Sequence, residues 1–220
     1  MLTLAVDTAT AGIVVGVVSV TAHPHVLAER RTHSPARHGE TVPPAIAAVL
    51  IEAGCTPSQL EAVVVGIGPG PFTGLRVGIV SAAAYADALG VPVYGVGSLD
   101  AVALGLPEQA GLTVVATDAR RREVYWAIYV DGERVDGPNV GTPADLSDRL
   151  GGRAADRVVG GGAMLYDLPG AENAGPTAAG LVAATGRALV DRQPPVPLRA
   201  AYLRRPDAVE LAARTPAGRA

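Results

Sequence analysis

The 220-residue chain has no lysine: all 18 of its basic residues are arginine, set against 21 acidic residues. That excludes two chemistries at once, the Schiff-base lysine of covalent catalysis and the lysine of a phosphate-binding loop. Cysteine is nearly absent as well. Cys55 stands alone, so there is neither a pair for a disulfide nor a cluster for a sulfur-rich metal site. No apolar run approaches the roughly 18 residues needed to cross a bilayer. No charged stretch precedes an apolar one at the N-terminus, as a secretory leader requires. A soluble, cytoplasmic protein without membrane association is expected. The net charge of −3 offers no general attraction for a phosphate backbone.

Core material is plentiful, since 49% of residues are hydrophobic. Residues 2–6 form an apolar run that ends at Asp7, and residues 13–20 form a valine-rich one; both read as buried strands. A third strand is expected over residues 25–32. Val42, Ile46, Val49 and Leu50 recur at helical spacing, with Pro43 and Pro44 expected in the helix's first turn and Gly54 as its C-terminal cap. A buried strand over 62–66 leads through Gly68-Pro69-Gly70-Pro71 to a second helix, with Thr73 as its expected N-cap. The order βββαβαβα then loosens near residues 104–111. Beyond it the pattern starts again: strands over 112–117 and 123–130, a turn at Asp131-Gly132, a helix capped by Thr142, and a strand over 157–159 running into Gly160-Gly161-Gly162. A final long helix is expected over 177–190. The division is therefore 1–104 for a first lobe, 105–193 for a smaller second lobe and 194–220 for an irregular Pro/Arg-rich tail. Two lobes that each open with a meander, mixed sheets flanked by helices, resemble the two-lobed actin-like, ribonuclease H-like α/β fold.

Four segments carry candidate chemistry. Asp7, Thr8 and Thr10 lie in the first hairpin turn, where an actin-like protein presents amides to phosphate and an Asp to a metal through water. Ala9 stands where that pattern has glycine, and a simply capped turn reads as well. Asp118 occupies the matching turn of the second lobe, followed by Arg120-Arg121-Arg122 rather than small residues; this is either an anion-binding cluster or a solvated turn whose side chains fill the phosphate place. Gly161 and Gly162 sit where a nucleoside lies against backbone in such folds, or serve loop geometry alone. Together these are the candidate residues of a degenerate nucleotide site, and no cofactor is expected. Gly74, Gly78 and Ala82 recur every four residues, a strip that lets another element approach closely; it either meets a partner helix or packs within its own lobe. Periodicity leaves open which face of either helix is exposed. His38 has Ser34 and Val42 four residues away, so no His-x-x-x-His metal pair exists. His23, His25 and His33 have no second ligand set, and no metal site is expected.

The segments Leu4-Ala5-Val6-Asp7-Thr8-Ala9-Thr10, His38-Gly39-Glu40, Gly68-Pro69-Gly70-Pro71-Phe72-Thr73-Gly74-Leu75-Arg76-Val77-Gly78, Asp118-Ala119-Arg120 with Glu123-Val124-Tyr125, and Tyr202-Leu203-Arg204 resemble the TsaB family. The resemblance runs through the whole chain in order. It implies a subunit without catalytic residues in the synthesis of threonylcarbamoyladenosine in tRNA. Such a subunit pairs with and activates the transferase TsaD, is joined by the small ATPase TsaE, self-associates when alone and meets tRNA only through the complex. It also implies a partner interface on the two helices of the first lobe: Val42, Ile46, Val49 and Leu50, then Gly74, Val77, Gly78, Ser81 and Tyr85, with Arg76 as a candidate anchor. The competing expectation is an autonomous small actin-like ATPase or kinase using Asp7 and Asp118.

Overall fold

A computed structural model describes residues 1–21, 24–33 and 38–204, without the side chains of His33 and His38. His23 and residues 205–220 of the expected tail lie outside the described residues. The chain opens with β1 (Leu2–Asp7), β2 (Gly12–Ser19) and β3 (His25–His33), paired antiparallel in turn. Next come α1 (His38–Glu52), β4 (Leu60–Gly66), α2 (Phe72–Leu89), β5 (Val93–Val96) and α3 (Ser98–Leu104). β4 joins β1 in parallel and β5 joins β4, giving a five-stranded sheet in the order β3-β2-β1-β4-β5. The central strands are nearly continuous runs of Val, Leu and Ala, as strands covered on both faces must be.

The second sheet repeats this plan. It contains β6 (Leu112–Asp118), β7 (Val124–Val130), β8 (Glu133–Gly141), β9 (Arg157–Val159) and β10 (Ala171–Glu172), with α4 (Pro143–Leu150) and α5 (Gly161–Leu165) between the later strands. Its order is β10-β9-β6-β7-β8. Read from the other edge, this is the order of the first sheet, with the same antiparallel and parallel pairings. The expected actin-like α/β architecture, mixed sheets flanked by helices, is what the chain adopts. β10 and α5 had no clear sequence signal; each is too short to show a period.

Four apolar layers hold the fold. α1 and α2 bury Val42, Val49 and Ala82 against Leu4, Val15 and Val63 on one face of the first sheet. The opposite face, with Ala5, Val18 and Val64, packs on Leu181, Val182 and Leu189, which belong to α6 (Ala178–Ala183) and α7 (Arg187–Val190). α3 is shared: Ala101 joins that layer, whereas Leu99 and Val102 pack with Val115 and Tyr129 of the second sheet. α4 and α5 close the outer face of the second sheet through Leu146 and Ala163.

Several expected boundaries moved. The caps Gly54 (φ 64°) and Thr142, whose hydroxyl accepts the Asp145 N–H at 3.2 Å, are in place. Pro43 and Pro44 lie inside α1, because the helix starts at His38, ahead of the first apolar residue of the periodic set. Thr73 is not a cap: α2 begins at Phe72 behind Pro71. The long helix expected over 177–190 is two short ones, since the Thr185 hydroxyl donates to the Val182 carbonyl (2.7 Å) and Gly186 takes φ 56°. Both pack on the first sheet, although the sequence groups them with the second lobe. The described part of the tail has no regular structure but is tied down. Leu198 packs against the first core, and the Ala201 N–H donates to the Ile67 carbonyl at 2.8 Å.

α3 and α6 approach so closely that a Cβ on Gly180 would lie 2.0 Å from the Ala101 carbonyl oxygen. Backbone stands on both sides and cannot yield cheaply. Gly180→Ala is expected to cost about 3 kcal/mol, read as a lowered urea midpoint. Gly161→Ala, where nothing lies within 4 Å, is expected to leave the midpoint within about 0.5 kcal/mol of wild type.

Candidate functional site between the two sheets

The turn after β1 is organised by one buried carboxylate. Asp7 has no exposed surface. Its Oδ1 accepts the Ala9 N–H at 2.8 Å and its Oδ2 accepts the Ser98 hydroxyl at 2.5 Å. The Ser98 Oγ in turn accepts the Gly68 N–H at 3.2 Å. Three chain segments, the ends of β1, β4 and β5, thus meet on one side chain. Burial, partly offset by these two hydrogen bonds, pushes the Asp7 carboxyl up to about 6. Ser98 carried no signal in the sequence, because a lone serine at a strand-to-helix junction is common.

Thr8 points the other way, toward α2. Its hydroxyl donates to the Gly74 carbonyl at 2.7 Å, and a Cβ on Gly78 would lie 2.2 Å from its Oγ1. Gly74, Gly78 and Ala82 are all buried. Of the two readings of the small-residue strip, contact within its own lobe is the one the fold adopts. The interface assignment needs the same correction. Val42, Ile46, Val49 and Leu50 lie in the first core with exposures of 0–5%, turned toward the sheet. Val77 and Tyr85 are partly buried beside that core, and Ser81 is half-buried. The outward faces carry other residues: Pro43, Pro44, Ala47 and Ile51 on α1, with Arg76, Val80, Ala84 and Ala88 on α2. Both helices are apolar nearly all round, so their periodicity could not distinguish the two faces.

Between the sheets lies a cleft of about 560 Å³, whose walls include Thr10, Arg31, Thr32, Asp118, Arg120 and Gly161. The arginine turn does not fill it. Arg120, Arg121 and Arg122 all take left-handed backbone conformations (φ 62°, 56° and 61°), each of which costs a non-glycine residue about 1 kcal/mol or more. The turn is held by the Asp118 Oδ1, which accepts the Arg120 N–H at 2.8 Å, and by the Tyr166 hydroxyl at 3.3 Å from the same oxygen. Thr10 closes on the Gly12 backbone at 3.0 and 3.2 Å. Gly162 is buried against the backbone of Thr117 and Asp118, where a Cβ would meet the Thr117 carbonyl carbon at 2.5 Å. The structure thus brings Thr10, Asp118 and Gly161 to one cleft and withdraws Asp7, Thr8 and Gly162 into the packing around it. Among the described residues, no three His, Cys, Asp or Glu side chains stand together as a metal site would require. None of their helices is long and apolar enough to cross a membrane.

A sequence model described as TsaD, tRNA N6-adenosine threonylcarbamoyltransferase, matches residues 26–209. The chain belongs to this family. Relatives named TsaB are among the matches, in line with the resemblance read from the sequence. TsaB of Bacillus subtilis is 35% identical over 104 residues, 47% of this chain and 45% of that protein. The protein Rv3421c of Mycobacterium tuberculosis is 49% identical over 215 residues, 96% of each chain. ML0378 of Mycobacterium leprae is as similar, but there the match spans 56% of the relative. Among solved structures, YeaZ from Pseudomonas aeruginosa superposes with a TM-score of 0.69 at 26% identity, covering 90% of this chain and 99% of that one.

The Asp7 carboxyl gives a measurable signature. Its folded value, about 6, lies above the ordinary 3.8, so the folded state holds the proton more tightly than the unfolded chain. Stability from this group is fully present below about pH 4 and falls as pH rises through about 6; two units correspond to roughly 3 kcal/mol. Urea unfolding between pH 4 and 7 is expected to show that loss for wild type relative to Asp7→Asn. Parallel curves for the two proteins would rule out a titrating Asp7.

Proposed function

We propose that this chain is the non-catalytic subunit that pairs with and activates a TsaD threonylcarbamoyltransferase, with TsaE, in making N6-threonylcarbamoyladenosine in tRNA. The reading rests first on family. Relatives named for tRNA threonylcarbamoyladenosine biosynthesis and a match to the TsaD family across most of the chain lie in one modification system. Against its own catalysis stand two observations: position 42 is Val where a helical His pair with His38 would need His, and the Asp7 carboxylate is committed to Ser98 and Ala9 inside the protein.

The observation that carries the pairing is the outer surface of the first lobe. α1 and α2 lie side by side, and beyond their buried faces they present Ile51 (81% exposed) and Val80 (64% exposed) together with the small residues Ala47 and Ala84. Apolar side chains that exposed, on neighbouring helices, are what a partner would cover. Two such helices from each partner make a four-helix contact, and a stable one buries about 1,200–2,000 Å². Alone, two copies of the chain would meet through the same surface. Binding only the active arrangement of TsaD would shift its population toward that arrangement. The lobes at 1–104 and 105–193 would then divide the work, the first docking and the second leaving the cleft and the arginine turn exposed.

Ile51→Glu and Val80→Glu are expected to lower affinity for TsaD at least tenfold while leaving the urea midpoint within about 0.5 kcal/mol of wild type. Titration calorimetry with purified TsaD measures the pairing, and reconstitution of tRNA modification measures its consequence. Full pairing by both variants would overturn the docking surface. Full modification in the absence of the chain would overturn the accessory role.

A further inference from the structure

Over most of this surface the arginines stand beside carboxylates. Arg30 pairs with Glu52, Arg134 with Asp100, Arg149 with Asp136, Arg157 with Glu172 and Arg192 with Glu61. One group of arginines stands apart for its exposed aromatic neighbours. A shallow cavity of about 190 Å³ is walled by Phe72, Arg120, Arg121, Tyr125, Tyr202 and Arg204. Arg122 is exposed in the same turn, and the Arg76 guanidinium lies 4.0 Å from the centre of the Phe72 ring. Asp118 lies 3.5 Å from Arg120, and Glu123 pairs with Arg204. Those two acids are thereby engaged, and Arg76 and Arg122 bring two further positive charges to the same surface of a chain whose net charge is −3.

Aromatic surface is exposed at the same place. Phe72, the chain's only phenylalanine, is 39% exposed and Tyr202 is 43% exposed, with ring centres 5.1 Å apart and planes tilted by 33°. A short stack of guanidinium, phenyl and phenol rings is thus left open beside a strained loop of arginines. The Ala119 N–H to Glu123 carbonyl bond (2.9 Å) and the Glu123 N–H to Arg120 carbonyl bond (3.0 Å) hold that loop in place. Stacking faces next to planar cations suit one ligand chemistry, a phosphodiester strand whose bases are unpaired. An RNA duplex hides its base faces and offers only backbone.

We infer that this patch binds single-stranded RNA, a base stacking on Tyr202 and phosphates meeting the arginines of the 120–122 turn. That the RNA is a loop of tRNA rests on the proposed function; the RNA chemistry of the patch does not. The assignment departs from the expectation that tRNA is met only through the complex. Net charge averages over a surface on which many arginines are neutralised by their neighbours.

The test is fluorescence anisotropy of a fluorescein-labelled, unmodified tRNA transcript, with the full chain alone and with the chain mixed with TsaD. A single-stranded 12-mer oligoadenylate and an RNA duplex of equal length serve as competitors. The tRNA is expected to bind, the 12-mer to compete and the duplex to compete poorly. Tyr202→Ala should weaken binding about tenfold and Tyr202→Phe should restore it. Arg76→Ala and Arg122→Ala should each reduce the slope of log affinity against log salt by about 0.7. Circular dichroism checks that the variants stay folded. Absence of binding in both preparations, wild-type binding by all the variants, or equal competition by the duplex would overturn the proposal. So would loss of TsaD pairing in Tyr202→Ala with RNA binding intact, which would make the patch a protein contact. Binding of the 12-mer without preference for tRNA would support the RNA patch and count against the tRNA reading alone.

Discussion

The carboxylate of Asp7 is the constraint on which the first lobe is arranged. It lies at the C-terminal end of β1, where open α/β sheets place their ligands, yet it serves the chain itself. Ser98 and the Ala9 amide hold its two oxygens, and Ser98 also receives the amide of Gly68. The loops after β1, β4 and β5 are thereby locked to one another by direct hydrogen bonds. A buried ionisable group is expensive unless its hydrogen bonds are made. Both oxygens are satisfied here, and the remaining cost appears as a carboxyl that titrates near 6. The next residue extends the lock: Thr8 bonds the first turn of α2, and Gly78 leaves room for it. The glycines of the most distinctive sequence segment therefore serve hairpin-to-helix contact inside the lobe.

Much of this was legible in the sequence because it rests on local rules. Valine-rich runs mark the strands, and the repeat of meander, helix and strand marks the duplication that both sheet orders share. Thr142 followed by Pro143 marks a helix start, and Gly54 marks a stop. What was not legible depends on contacts between distant segments. Helical spacing cannot say which side of α1 meets the sheet when Ile46 and Ile51 differ only in what stands opposite them; one is 5% exposed and the other 81%. Asp7 was a plausible metal or phosphate residue until Ser98, 91 positions away, took its oxygen. The return of α6 and α7 to the first sheet follows from the fit of Gly180 against Ala101, which no pattern in either segment announces.

Charge shows the same limit. A net charge of −3 describes the whole chain, but the field felt by a ligand is local, since charges beyond about 8–10 Å are screened at ordinary salt. Arginines paired with carboxylates present little net charge at that range. The turn after β6 is set apart because its neighbouring acids are already engaged, Asp118 with Arg120 and Glu123 with Arg204, while Arg122 extends the run of guanidinium groups.

The two halves are also joined in ways that resist closing on a ligand. Asp100, on the helix shared between the sheets, accepts the Tyr129 hydroxyl at 2.9 Å and pairs with Arg134 at 3.0 Å. The tail bonds Ile67 through Ala201 and then crosses to the second sheet, where Arg204 donates to the Ala119 carbonyl at 2.7 Å and pairs with Glu123. A hinge motion of the kind used to enclose a substrate has to strain or break the bridges from Asp100 and Arg204, and a ligand can drive it only by binding the closed form more tightly. The same bridges set the spacing between the outer faces of α1 and α2 and the arginine turn, which is the property the proposed pairing role would use.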